Sequence, residues 1–423
     1  MIPKLAGDAR LLFATRFIRL FAYGSLSVVL VFYLVGIGLS EKQTGALLTL
    51  TLAGDTVISL LLTTQADRLG RRTMLVVGGV LMIAAGFVFA VTRSFWVLLV
   101  AGIIGVISPS GNEVGPFLSI EQAALSQIVF NQQRTRVFAW YTLAGSIATA
   151  LGALAGGAAT RVLQQAGLAP VSSYRGVVVL YAALGGGLIL LFSRLSRATE
   201  ADAAAAAKPR ATLADWSGLT TSRGVVARLS ALFALDAFGG GFVIQSFAAY
   251  WFYLRYGVKP ETLGVIFFVA NILAGFSALL ASRIATRIGL VNTMVFTHLP
   301  SNVLLILVPL MPSLPLAVLM LLIRFSISQM DVPTRQSYTM AVVSPDERSA
   351  AAGITGVART TGAAVSPLFV GVMFATPALI NLPFFLAGGL KIVYDLLLYR
   401  AFVSVRPPEE AGHRARTPEH RGH

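Results

Sequence analysis

Apolar runs of about twenty residues recur along almost the whole chain, and this recurrence restricts the fold more than any other feature. A helix needs about 20 residues to cross a hydrocarbon core ~30 Å thick. Twelve such spans are predicted, approximately at 11–36, 43–66, 73–92, 95–127, 137–160, 174–194, 228–254, 262–284, 291–311, 314–343, 347–375 and 378–402. They read as helices, because unpaired backbone groups are costly in lipid and a barrel would show short alternating segments. Of the 423 residues, 56% are hydrophobic and 12% charged, against about 25% charged in an ordinary soluble domain. The expected class is therefore an all-α integral membrane protein with twelve transmembrane helices. The opening MIPKLAGDAR has no small-residue cleavage site behind a short apolar core, so the first span reads as retained.

The formal net charge of +15 does not read as a nucleic-acid footprint, because of where it lies. The loops on one side hold Lys42, Arg93, Arg161, Arg175, Arg255 and Lys259, whereas most of the 33 Lys and Arg fall in the opposite loops and at the two ends. Cytoplasmic loops carry this excess, so both termini are expected to be cytoplasmic. The chain has no cysteine, which excludes disulfides and thiolate metal sites.

Ser193 to Gly224 is polar, alanine-rich and too interrupted to cross a bilayer. On either side the sequence repeats weakly: ARLLFATRFIRL from Ala9 matches ARLSALFALDAF from Ala227. The offset stays between 217 and 220 through Gly45/Gly264, Arg68/Arg287, Gly70/Gly289 and Pro116/Pro333. This predicts a bundle over 1–194, a cytoplasmic linker over 195–226, a second bundle over 227–403 and a disordered tail over 404–423, the halves related by an axis along the membrane normal.

Between the second and third spans lies QADRLGRR, with Asp67, Arg68, Gly70, Arg71 and Arg72. It resembles the G-x-L-A-D-R-x-G-R-R signature loop of the major facilitator superfamily, with Thr63 where that family usually has glycine. ASRIATRIG, Ala281 to Gly289, is similar to a decayed second copy in which Thr286 replaces the acid. The resemblance implies two pseudo-symmetric six-helix bundles, a central cavity lined by the first, fourth, seventh and tenth helices, and a conformational latch at the Asp67 loop. In that loop Gly70 permits a sharp reversal, and the arginines favour the cytosol and anionic headgroups. GALAGG at Gly152 to Gly157 partly matches the family's antiporter pattern, with Ala153 for proline, and small-residue helix packing explains it equally well.

An ionisable group in a span costs several kcal/mol unless it is paired or meets water, so each is a candidate functional residue. Arg16, Arg19, Glu113, Asp236, Arg324 and Asp331 are expected to form the substrate and proton cavity, with Glu113 and Asp236 as proton carriers and Arg324 holding the substrate. Structural ion pairs fixing the helices are the competing explanation. Asp55 and Arg359 both fall near mid-depth, in spans that the resemblance places opposite each other, and are expected to form an interdomain salt bridge. Span 4 is too long to cross straight; Pro109 and Pro116 mark a hinge there, and Pro333 a matching one in span 10.

Lys391 and Asp395, four residues apart, are expected to neutralise each other. Glu121 is expected near the interface in contact with water, and His298 to be a packing residue. The aromatic residues Tyr23, Phe32, Tyr33 and Tyr250 to Tyr253 read as interfacial belts. No nucleotide loop, catalytic constellation or metal spacing is present, so neither enzyme nor cofactor is expected. The expected function is that of a monomeric secondary transporter of a small organic solute, coupled to protons and embedded in a bacterial inner membrane, with antiport efflux as the leading mode. Proton-coupled uptake of a polar or anionic metabolite is the alternative, and a sensor or lipid scramblase ranks below both.

Overall fold

The computed structural model describes residues 7–113, 115–130, 134–200, 219, 221–344 and 347–405. Most of the expected linker and tail, and the side chain of Asp67, lie outside the described residues. Among the described residues, eleven helical stretches are long and apolar enough to cross a bilayer, and a further apolar helix, Phe95–Ile104, is shorter. The first half comprises α1 (Gly7–Gly36), α2 (Glu41–Leu69), α3 (Arg71–Val91), α4 (Phe95–Ile104), α5 (Phe117–Ile128), α6 (Arg134–Gln165) and α7 (Pro170–Phe192). The second comprises α8 (Arg223–Gly241), α9 (Gln245–Tyr256), α10 (Pro260–Ile288), α11 (Leu290–Leu307), α12 (Leu314–Ile327), α13 (Asp331–Val342), α14 (Arg348–Phe374) and α15 (Leu382–Phe402).

The helices outnumber the twelve expected spans because spans 4, 7 and 10 are each broken, into α4–α5, α8–α9 and α12–α13. The sequence reading anticipated kinks in spans 4 and 10 and a continuous span 7. Between α4 and α5, Gly111 at φ 70° and Gly115 at φ 80° adopt backbone conformations that L side chains rarely take. Pro109 lies in this break, and Pro116 immediately precedes α5. Span 7 breaks at Phe242–Ile244, directly after Gly239, Gly240 and Gly241. Its repeat partner in span 1 has Phe21, Ala22 and Tyr23 there, and α1 continues unbroken. Backbone groups freed by the breaks find partners: the Pro109 carbonyl accepts from Ser246 N at 3.1 Å, and the Asn112 carbonyl from Ser108 Oγ at 2.7 Å.

Within the first half α1 packs on α6 and α7, and α3 on α7; within the second, α8 packs on α14 and α15, and α11 on α15. The halves meet along α2–α14, α6–α10 and α1–α9. Two glycine pairs make the closest approaches at the end opposite the chain termini. A Cβ on Gly45 would lie 2.5 Å from the Pro367 carbonyl oxygen and 2.8 Å from Gly371 Cα, and one on Gly264 would lie 2.7 Å from the Ala153 oxygen and 3.2 Å from Gly157 Cα. Small residues let the backbones touch.

Polar and aromatic contacts reinforce this far-end seam. Gln245 Nε2 donates to Ser27 Oγ at 2.7 Å, Ser246 Oγ to the Ser27 carbonyl at 2.7 Å, and Tyr250 OH to Glu41 Oε1 at 3.2 Å. Phe32 stands edge-on to both Tyr250 and Tyr253. The aromatic residues expected in interfacial belts are mostly buried: of that set only Tyr253 is exposed, the others packing within their own half, as Tyr23 does on Tyr181 and Trp251 on Phe384, or across the seam, as Phe32 does on Tyr250. Toward the terminal end the contact between halves loosens, and Gly353 and Gly356 of α14 face open space.

Candidate functional site

Thr15, Arg16 and Arg19 lie on one face of α1, at the helical spacing that aligns side chains. Opposite them the irregular segment before α5 presents Glu113, and the second turn of α5 presents Glu121. Arg19 sits between the two carboxylates: Nε and Nη2 donate to Glu113 at 3.2 and 3.1 Å, and Nη1 and Nη2 donate to Glu121 at 2.8 Å each. Thr15 Oγ1 donates to Glu121 at 2.7 Å, and Tyr141 OH of α6 donates to the other Glu121 oxygen. Arg16 Nη1 stands 2.7 Å from Glu113 Oε1, and its guanidinium lies over the Tyr141 ring.

The two carboxylates are not equivalent. Glu121, expected to meet water, is fully buried and saturated with donors, which makes it a fixed counter-charge. Glu113 keeps 14% of its side chain exposed, and its contact with Arg16 lacks hydrogen-bond alignment. Glu113 is thus the carboxylate of this cluster with an edge open to its surroundings.

The second half builds its cluster around Asp236 of α8, an acid whose repeat position in α1, Ile18, adjoins the basic Arg19 at the centre of the first cluster. Lys391 Nζ of α15 donates to Asp236 Oδ1 at 2.6 Å, and Arg335 Nη1 of α13 donates to Oδ2 at 3.0 Å. Arg335 also lies 3.1 Å from Asp331, one helical turn away. On α11, His298 and Asn302 share a face: His298 Nδ1 is 2.8 Å from Asp395 Oδ1, and Asn302 Nδ2 donates to Asp395 Oδ2 at 2.9 Å.

The expected pairing of Lys391 with Asp395 is replaced by Lys391–Asp236 and His298–Asp395. Side-chain direction, rather than sequence spacing, decides which groups touch. His298 is a member of the charge network, not a packing residue. Arg335 and Tyr141 were not recognised from sequence as site residues; Asp331 and Arg335 at helical spacing were the available signal.

Three groups stand apart. Asp55 Oδ1, Arg324 Nε and Arg359 Nε are buried without hydrogen-bond partners, and among the described residues none of the three side chains joins an ion pair. Asp55 and Arg359 are therefore not bonded to each other in this conformation. The Arg324 guanidinium carbon lies 5.1 Å from the Phe325 ring centroid. Pro333 falls in the first turn of α13, just after the Ser328–Met330 break.

In the signature loop, Gly70 at φ 98° makes the turn between α2 and α3. The Glu200 carboxylate accepts from Arg71 N at 2.6 Å and Arg72 N at 3.2 Å, covering the start of α3, where negative charge is favoured. The Arg71 side chain reaches Gln127 Oε1 at 2.7 Å and the Thr199 carbonyl at 3.1 Å, while Arg68 and Arg72 are exposed. An apolar groove of ≈ 520 Å³ between α3 and α4, lined by Leu81, Val88, Trp96 and Val100, holds none of the ionisable groups.

A family model described as Major Facilitator Superfamily matches residues 12–367. The uncharacterized membrane protein YJR124C of Saccharomyces cerevisiae is 32% identical over 426 residues, covering 94% of this chain and 94% of that protein. Among solved structures, the nucleoside transporter NupG superposes with a TM-score of 0.72 at 14% identity, over 94% of this chain and 99% of that one. The D-xylose-proton symporter superposes with a TM-score of 0.69 at 15% identity, over 93% and 97%. The signature loop, the two-half architecture and the family match converge: the chain belongs to the major facilitator superfamily of secondary transporters.

Proposed function

We propose that the protein couples proton movement to transport of a small, anionic organic solute by alternating access, with uptake by symport as its mode. One observation carries this reading. Glu113, Glu121, Asp55, Asp236, Asp331 and Asp395 balance Arg16, Arg19, Arg324, Arg335, Arg359 and Lys391 one for one, yet among the described residues Arg324 and Arg359 have no carboxylate partner. A solute anion at those guanidiniums and one added proton keep the interior neutral together, so each favours binding of the other. The basic loops support cytoplasmic termini, which makes the far-end seam the outer gate and this conformation inward-facing. The Asp67 loop is the latch, Asp55–Arg359 an ion pair of another state, and Pro109, Pro116 and Pro333 mark the hinges. The unit is a monomer with bundles over 1–194 and 227–403, and its short loops fit a bacterial inner membrane.

A second reading, antiport efflux, rests on Glu113: a cationic solute would compete with the proton for this partly exposed carboxylate. The Gly152–Gly157 run adds little to it, because Gly152 and Gly156 pack against α1 backbone and Gly157 against α10. Purified protein in vesicles loaded with a pH dye separates the readings, using organic acids and amines first selected by thermal shift. An inward solute gradient acidifies the lumen under symport and alkalinises it under antiport; no pH change with any transported solute overturns proton coupling.

A further inference from the structure

His298 lies between two carboxylates on different helices, and its two nitrogens face different chemistry. Asp395, fully buried, has no Lys or Arg partner among the described residues; its oxygens receive His298 Nδ1 and Asn302 Nδ2. With Asp395 ionised, its Oδ1 accepts from Nδ1–H at 2.8 Å, the shorter of the two Nδ1 contacts, the other being Asn302 Nδ2 at 3.1 Å; the neutral imidazole is then the Nδ1–H tautomer, with Nε2 as the basic nitrogen. Nε2 points at Asp236 Oδ1 from 3.8 Å, too far for a hydrogen bond. That oxygen is held by Lys391 Nζ at 2.6 Å.

The geometry points to His298 as the binding site of the coupling proton, with Asp236 Oδ1 as the oxygen over which His298 and Lys391 exchange. The inference rests on the proton-coupled reading above. A proton from solvent adds to Nε2 and gives an imidazolium, with no other bond broken. Nε2–H then donates to Asp236 Oδ1, and Lys391 loses its sole claim on that atom. The ion-paired groups alone, Asp236, Asp331 and Asp395 against Arg335 and Lys391, carry one excess negative charge, which the proton cancels.

The remaining groups around the ring do not block this exchange. Tyr394 of α15 stands edge-on to the imidazole at 5.9 Å, Arg335 of α13 holds the other Asp236 oxygen, and Arg324 and Arg359 act from farther away on α12 and α14. Access is from the Asp236 edge, where the Lys391 side chain retains 10% exposure. Gly240 leaves room beside Nζ, since a Cβ there would lie 3.5 Å from it. A released ammonium is a third cation, with Arg324 and Arg359, for a carboxylate- or phosphate-bearing solute.

Solid-state NMR on the full chain in lipid tests the exchange without a solute. His413, His420 and His423 are replaced by Gln, so that His298 is the sole imidazole, and the protein carries ¹⁵N-histidine, ¹⁵Nζ-lysine and ¹³Cγ-aspartate. The expected result is strong Lys–Asp dipolar dephasing, removed by Lys391→Gln, that falls by at least half over the pH interval in which the His298 ¹⁵N signals become those of imidazolium. In His298→Gln the dephasing stays constant over that interval. Dephasing that does not follow His298 protonation in the wild type, or an imidazole that never protonates between pH 5 and 9, overturns the proposal. Failure of proton coupling itself is read separately, in the vesicle pH assay.

Discussion

At the residue scale the two clusters divide into fixed and movable charges. Glu121 receives Arg19, Thr15 and Tyr141 in full burial, so Glu121→Ala is expected to leave Arg19 short of its counter-charge and to cost about 3–5 kcal/mol. Reversible unfolding in detergent measures that loss. Glu113→Gln is expected to cost less than Glu121→Ala, because Gln keeps an acceptor oxygen for Arg16 and Arg19 at a partly exposed position, while reducing proton-coupled flux at least tenfold. Equal destabilisation by the two changes would contradict the division.

Sequence depth alone drew Arg16, Arg19 and Glu113 together, since charges at one level of facing helices must find each other in lipid. It could not supply rotation about each helix axis. Lys391 and Asp395, neighbours on α15, therefore read as a local pair although their side chains reach Asp236 and His298 on other helices. His298 and Asn302, at helical spacing within an apolar span that also carries Thr293 and Ser301, were a legible sign that α11 turns a polar face inward.

At the element scale, glycine placement decides where helices touch and where they break. The break in span 4 was readable from its Gly and Pro content. The one in span 7 was hidden, because Gly239 to Gly241 stand within an apolar run that reads as continuous helix. The seam glycines were visible as repeat positions, but their role depends on which faces meet. Gly45→Leu drives a side chain into the Pro367 carbonyl, so solute flux is expected to fall at least tenfold while a cysteine placed at Ser27 becomes reactive to membrane-impermeant thiol reagents. An unreactive cysteine in a transport-dead protein would remove the gating role. Glu200→Ala uncaps α3 and is expected to cost about 1 kcal/mol in the same unfolding assay.

At the scale of the whole molecule, the repeat and the signature loop carried the family and the twelve-span plan, because both are written in local sequence. The state of the transporter was not legible: it depends on which of two seams is closed, and both are encoded at once. Asp55 and Arg359 illustrate this: the first is buried and the second half-buried on facing helices, and among the described residues neither joins an ion pair here. Exchanging their charges is expected to restore flux lost in either single variant, and absence of rescue removes the pairing.

If the two halves rock about a central site under proton control, the two ends of the molecule open in alternation. The cysteine-free chain allows a direct test by electron–electron double resonance in lipid nanodiscs, with spin labels at Lys42 and Thr376 across the far end, and at Gln65 and Ala352 across the terminal end. As pH and transported solute are varied, the two distances are predicted to change in opposite senses, one lengthening as the other shortens. Two distances that stay fixed, or that lengthen together, would contradict the account.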